Sequence, residues 1–304
     1  MKKLINKLTE KALLRDLVER TPAAQELVNR YIAGRDAAEM LPVIADHVWK
    51  GLQVSIGCLP GESSVDHNLR SVVKEYKDIL QFIADEGYSK NTELSLRLST
   101  LGMGRVFPEI VLELARDVTR AASNLDIDVC LEMEDFEHID TVLIIHDQIR
   151  QDFPRIGVTV QANLRRTLKD VETLAKNKSR IRIVKGSYAA PESESFGSRL
   201  AVDQSFVYCM RMAFTHGGIP LIATHDPRLI EISQAIVKKN SYADYEYQML
   251  YGVRTFEQRR LVDTGRTCRT LLPVGPDWID YYLRRAQEKP SNLLLFFRSL
   301  IGKR

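Results

Sequence analysis

A barrel of eight parallel strands and eight helices, the (β/α)8 fold, is what this sequence predicts, and two observations predict it. From Gly51 onwards, short apolar runs alternate with amphipathic helical stretches, eight times in succession. Each parallel strand needs a crossover of helical length, so eight such units close most economically on themselves. An open doubly wound sheet is the rival. It requires a glycine-rich dinucleotide loop after an early strand, and "SIGCLPGES" is a poor version of one.

The elements follow in order. Residues 4–50 read as helices, with apolar residues three and four apart and "TPAAQE" as a helix start, so residues 1–50 are a helical arm and 51–304 the barrel. The strands are "LQVSIG" (52–57), "ELSLRLS" (93–99), "IDVCLEM" (127–133), "IGVTVQA" (156–162), "RIRIVK" (180–185), "IPLIAT" (219–224), "DYEYQM" (244–249) and "CRTLLP" (268–273). Helices are expected near 66–87, 107–123, 136–151, 165–176, 198–216, 227–239, 255–265 and 277–289. Strand five is the odd one. A strand covered on both faces should be apolar on both, yet "RIRIVKGSY" places an arginine at every second position before ending on lysine and glycine.

Composition excludes several classes. A net charge of +3 over 304 residues, with both signs interspersed, gives no electrostatic footprint for nucleic acid. The four cysteines form no CxxC pair, which fits neither zinc nor a disulfide framework and suits a reducing cytosol. The first twenty residues carry too much charge for a signal peptide, and no window reaches the ~18 apolar residues of a membrane span. The greasy "NLLLFFRSLIGKR" is expected to pack as a terminal helix. There is no HxH, HExxH, GxSxG or P-loop, and His138 and His146 read as exposed helix residues.

In such a barrel the active site lies at the C-terminal ends of the strands. The polar residues there are Arg97, Glu132, Gln161, Arg182, Lys185, Thr224, His225, Asp226, Glu246 and Gln248, while strand eight ends apolar at Leu271 and Leu272. Any one of them can complete a barrel layer or cap a helix. Together they are harder to dismiss, because each buried charge costs several kcal/mol unless paired. A cationic, amide-rich site suits an anionic cofactor or substrate.

"RIVKGSY", taken with "VTVQA", "IATHD", "EYQMLYGVR" and "DWIDYYLRRAQE", resembles the proline dehydrogenase family over residues 50–292. The resemblance implies a distorted (β/α)8 barrel of the TIM type and FAD-dependent oxidation of L-proline to the cyclic imine Δ1-pyrroline-5-carboxylate, by hydride transfer to flavin N5. Arg182 matches the arginine beside the flavin N5 edge, where a cation stabilises the charge of the reduced ring. Lys185, Gly186 and Ser187 match the turn on the ribityl–phosphate side, with glycine allowing close backbone approach and lysine supplying a point charge. Gln161, Thr224 and His225 match further cofactor contacts, and Met133 and Gln248 are placed with them. In "YYLRRAQE", Arg284 and Arg285 match the pair that clamps the substrate carboxylate bidentately, flanked by Tyr281 and Glu288. Family members pass electrons to a membrane quinone. The implied setting is therefore cytoplasmic, with contact at the inner face of the membrane.

Four positions depart from the family. Arg97 stands for a lysine and Glu132 for an aspartate, Leu271 for a tyrosine that packs on the proline ring, and Asn163 for the tyrosine of "QAY". The two charge-conserving changes shift the pocket's geometry, with Arg97 and Leu271 on its substrate side and Glu132 and Arg182 nearest the chemistry. Two other readings therefore stand beside proline oxidation. One is a paralogue acting on another cyclic or N-substituted amino acid. The other is a non-catalytic flavin- or anion-binding protein, whose flavin no amino acid would bleach.

Overall fold

A computed structural model of the protein describes residues 30–58 and 68–275. Its strands close into a barrel in chain order, every neighbouring pair parallel: β1 (Gln53–Cys58), β2 (Thr92–Leu96), β3 (Asp128–Leu131), β4 (Gly157–Gln161), β5 (Arg180–Val184), β6 (Ile219–Ala223), β7 (Glu246–Leu250) and β8 (Cys268–Val274). Helix α1 (Ala37–Trp49) precedes β1. Between the strands run α2 (Leu69–Asp85), α3 (Pro108–Asn124), α4 (Ile139–Arg150), α5 (Thr167–Lys176), α6 (Arg199–Thr215), α7 (Pro227–Asn240) and α8 (Thr255–Asp263). The helix expected over 277–289, with Tyr281, Arg284, Arg285 and Glu288, lies outside the described residues, as do 1–29 and the C-terminal "NLLLFFRSLIGKR". Among the described residues no helix is long and apolar enough to cross a membrane.

Local chemistry explains where the helices begin. Asn68, Ser198 and Asp226 cap α2, α6 and α7, each side chain accepting from a backbone N–H in the first turn. Proline opens α3 and α7, where its missing N–H costs nothing. The helices bury apolar stripes against the outside of the barrel, as in α2 with Val72, Val73, Tyr76, Leu80 and Ile83. From the N-terminal side, Ala33 donates its N–H to the Pro273 carbonyl at 2.9 Å, and Met40 and Ile44 of α1 are fully buried.

One expectation is overturned. His146 is not exposed: it falls in the buried stripe of α4 with Ile139, Val142, Ile145 and Ile149. Its Nε2 lies 3.3 Å from the Ile156 carbonyl oxygen, and burial drives its pKa from 6.5 down to about 4, so it packs as a neutral ring. His138 is half-buried, in a 3-10 turn ahead of α4.

Candidate active site

Alternation along β5 resolves the arginine pattern. Ile181 and Ile183 face the helices and are fully buried, while Arg180 and Arg182 point into the barrel, where a (β/α)8 core is ordinarily packed with branched apolar side chains. This barrel has a charged interior instead. At its floor Arg269 forks onto Glu246, Nε to Oε1 at 2.8 Å and Nη2 to Oε2 at 3.1 Å. Arg180 reaches Glu93 Oε2 at 2.7 Å. One layer up, Arg182 donates from Nε to Gln248 Oε1 (2.5 Å), from Nη1 to Ser95 Oγ (2.7 Å), and from Nη2 to Ser55 Oγ (3.2 Å) and Glu93 Oε1 (2.5 Å).

Four of the five guanidinium N–H groups are thereby aimed and held. Gln248 cannot flip without loss, since its Nε2 donates to Glu246 Oε1 at 2.6 Å while its oxygen receives Arg182. The hydroxyl of Ser95 continues the chain upward, accepting from Arg182 and donating to Glu132 Oε1 at 3.0 Å. Glu132 in turn receives Arg97 through Nη2 (2.7 Å) and Nε (3.1 Å). Burial by itself would raise the Glu132 pKa; the Arg97 guanidinium outweighs it and holds the carboxyl below the usual carboxylate range. Arg182, Glu132 and Arg97, far apart in sequence, are thus joined through a single serine. β2 ends at Leu96, so Arg97 stands just beyond the strand, extended, at the start of a 3-10 turn. Leu271 is half-buried, and a Cβ added at Gly57 would sit 3.4 Å from its Cδ1 and 4.0 Å from Glu132 Oε1.

The ends of β4 to β7 carry the other expected residues. Gln161 is buried and donates to the Glu134 carbonyl at 3.2 Å. Met133 packs in the apolar core. Lys185 lies between Asp203 Oδ1 (2.5 Å) and Asp226 Oδ2 (2.9 Å), and Arg228 binds the same two carboxylates. Arg228 first, and Lys185 after it, hold the Asp226 carboxyl well below its ordinary range despite partial burial. Thr224 accepts from the Asp226 N–H at 3.2 Å. His225 Nε2 accepts the Leu250 N–H at 2.8 Å, which leaves the ring proton on Nδ1 in the neutral imidazole. Ser187 is exposed.

Gly186 adopts φ +96°, and a Cβ there would collide with Asn163 Oδ1. That oxygen is buried without a hydrogen-bond partner among the described residues. A buried acceptor lacking a donor, just after β4 and beside the strand that carries the buried Arg182, suits a polyhydroxylated, anionic cofactor.

Several members of this constellation were not singled out in the sequence: Glu93, Ser55 and Ser95 around Arg182, Asp203 beside Lys185, and Glu134. The Glu134 carboxylate accepts the Ser99 N–H at 2.9 Å, and burial pushes its pKa up. The signal was available for two of them, because Glu93, Ser95 and Arg97 alternate with leucines as Arg180 and Arg182 alternate with isoleucines. Among the described residues no His/Cys/Asp/Glu cluster is arranged to hold a metal.

Residues 41–294 match the family model described as proline dehydrogenase. The chain is 29% identical over 276 residues to proline dehydrogenase 1 of Bacillus subtilis (strain 168), covering 90% of both. To proline dehydrogenase 2 of Bacillus subtilis subsp. natto it is 30% identical over the same length and coverage. The fold superposes on crystalline proline utilization A from Bdellovibrio bacteriovorus, inactivated by N-propargylglycine, with a TM-score of 0.78 at 20% identity, over 86% of this chain. The chain spans about a third of that larger protein (32%).

Proposed function

The chain belongs to the proline dehydrogenase family, whose reaction turns proline into Δ1-pyrroline-5-carboxylate, and we propose that it does so with a non-covalent FAD held over Arg182. When bound, FAD supplies the acceptor for the hydride that leaves the carbon next to the amine nitrogen. The observation that carries the reading is the Arg182–Ser95–Glu132–Arg97 chain, which fixes a buried cation and a paired carboxylate at one end of the barrel.

The residues divide the work. Arg182 offers its remaining N–H and its charge to the electron-rich edge of the cofactor. Gln161 and the Asn163 carboxamide oxygen supply polar contacts at its rim. Lys185 and Arg228 bring cationic character to the phosphate side, tempered by Asp203 and Asp226. Gly186, at φ +96°, supplies the turn on that side, and His225 is assigned there on the family motif. Arg97 keeps Glu132 ionised and oriented, so that a cationic amine is met by a carboxylate rather than by bare positive charge. Arg284 and Arg285 are assigned to the substrate carboxylate on the family motif, and a quinone at the membrane surface is the assigned electron acceptor.

Leu271 favours one narrower reading. An apolar side chain facing Gly57 and Glu132 opens room for a substrate bulkier than proline on a cyclic or N-substituted amino-acid frame. One experiment tests both levels. The purified protein is expected to show a flavin absorbance that denaturation releases into solution, and that anaerobic titration with L-proline or an N-substituted analogue bleaches. A colourless protein that added FAD fails to reconstitute overturns the cofactor assignment. A flavin that no cyclic amino acid bleaches overturns the enzymatic one.

A further inference from the structure

Glu93 has no role in the reaction as described, yet its side chain is wholly enclosed, at 0% exposure. A carboxylate at that depth costs several kcal/mol unless its lone pairs are satisfied, and a well-packed apolar side chain would be no less stable. Its partners are specific. Oε1 accepts from Arg182 Nη2 at 2.5 Å and from Ser55 Oγ at 2.9 Å, and Oε2 accepts from Arg180 Nη2 at 2.7 Å.

The other groups bonded to Arg182, namely Gln248, Ser95 and Ser55, are neutral. They aim the guanidinium without altering its charge. Among the described residues Glu93 is the one carboxylate in contact with Arg182. Arg180 braces Glu93 from the far side, so each carboxylate oxygen faces its own guanidinium.

We propose that Glu93 is a positioning residue that fixes Arg182 and offsets part of its charge, thereby setting how strongly a flavin beside Arg182 favours its reduced form. The inference rests on the FAD reading. Reduction adds negative charge to the ring system, a nearby cation favours that state, and a carboxylate bonded to the cation subtracts from the effect. Holding Arg182 and Ser55 needs only one acceptor oxygen at residue 93, which a glutamine keeps, whereas charge setting requires the carboxylate.

The test compares three FAD-loaded proteins: wild type, Glu93→Gln, and Glu93→Gln/Arg180→Met. The double variant removes the buried cation that Glu93→Gln strands, so it remains measurable if the single variant folds poorly. The readout is the midpoint potential of the bound flavin, from anaerobic reductive titration against a reference dye. Glu93→Gln is expected to raise the reduced-to-oxidised ratio at a fixed solution potential by about tenfold, a positive shift of about 30 mV for a two-electron couple. The double variant is expected to shift the same way by less. Flavin-loaded variants with wild-type potentials overturn the proposal while leaving the FAD reading intact. A wild type that takes up no flavin overturns that reading, and this inference with it.

Discussion

Replacing Leu271 by tyrosine tests whether the wall beside Glu132 decides what this enzyme oxidises. Leu271 points into the barrel from β8, half-buried, with its Cδ1 against the Gly57 position. Residue 57 has no side chain, and a Cβ there would lie 3.4 Å from Leu271 Cδ1 and 4.0 Å from Glu132 Oε1, so a longer residue at 271 borders both. A tyrosine ring there presents a face to the five-membered ring of proline. Aromatic packing of this kind is worth roughly 0.5–1.5 kcal/mol beyond the area it buries. If the gain is realised in the transition state, kcat/KM for L-proline rises about two- to twelvefold. The same ring fills the volume that a bulkier analogue would use, so kcat/KM for an N-substituted or enlarged cyclic amino acid falls. Anaerobic stopped-flow bleaching of the flavin measures both constants directly. A flavin-loaded Leu271→Tyr protein with both unchanged would refute the placement of Leu271 on the substrate wall. The departure from the family tyrosine would then be neutral.

Two further perturbations read other parts of the molecule. Arg285→Met should raise KM for the amino acid roughly ten- to a hundredfold with FAD retained, since a charge-assisted pair is worth about 1.5–3 kcal/mol; unchanged KM in Arg284→Met and Arg285→Met alike would place the carboxylate elsewhere. His146 gives a pH signature: its pKa is depressed from 6.5 to about 4 in the folded state, so its contribution is present above pH 6.5 and is lost as pH falls through that window, by about 2 kcal/mol at pH 5. His146→Gln keeps a donor for the Ile156 carbonyl but cannot titrate, so urea unfolding at pH 7.5 and pH 5 should show that much less acid destabilisation than wild type; equal losses in the two proteins would mean that His146 titrates normally.

The barrel itself was legible because its elements are locally consistent. Strand bounds agree with expectation within a few residues, since apolar runs, caps and prolines punctuate the chain at each turn. β7 begins two residues late, at Glu246, with Asp244 and Tyr245 ahead of the strand. His146 was misread because a histidine counts as polar in a pattern, although it falls four residues after Val142 and three before Ile149, within the apolar stripe. Glu93 was harder to see. Its partners Arg180 and Arg182 are 87 and 89 residues away, and a lone glutamate among leucines looks like a solvent-facing position. Asn163 and Gly186 illustrate a third case. The family motif explains the glycine by cofactor approach, whereas the fold adds a positive φ and a close asparagine that exclude any side chain at 186.

The polar interior also has a consistent energetic logic. An apolar filling of the barrel would be at least as stable as a floor built from Arg269–Glu246 and Arg180–Glu93. These pairs nonetheless hold everything above them. Glu246 fixes the amide of Gln248, Gln248 and Glu93 fix Arg182, and Arg182 shares Ser95 with Glu132. Each link has a direction, because carboxylates only accept and guanidinium groups only donate. Such a network cannot relax by exchanging roles, as a set of hydroxyls or waters can. The Arg182 guanidinium is therefore held in one orientation before any ligand arrives, and binding need not supply the free energy to order it. That preorganisation is what a redox site needs from a buried cation.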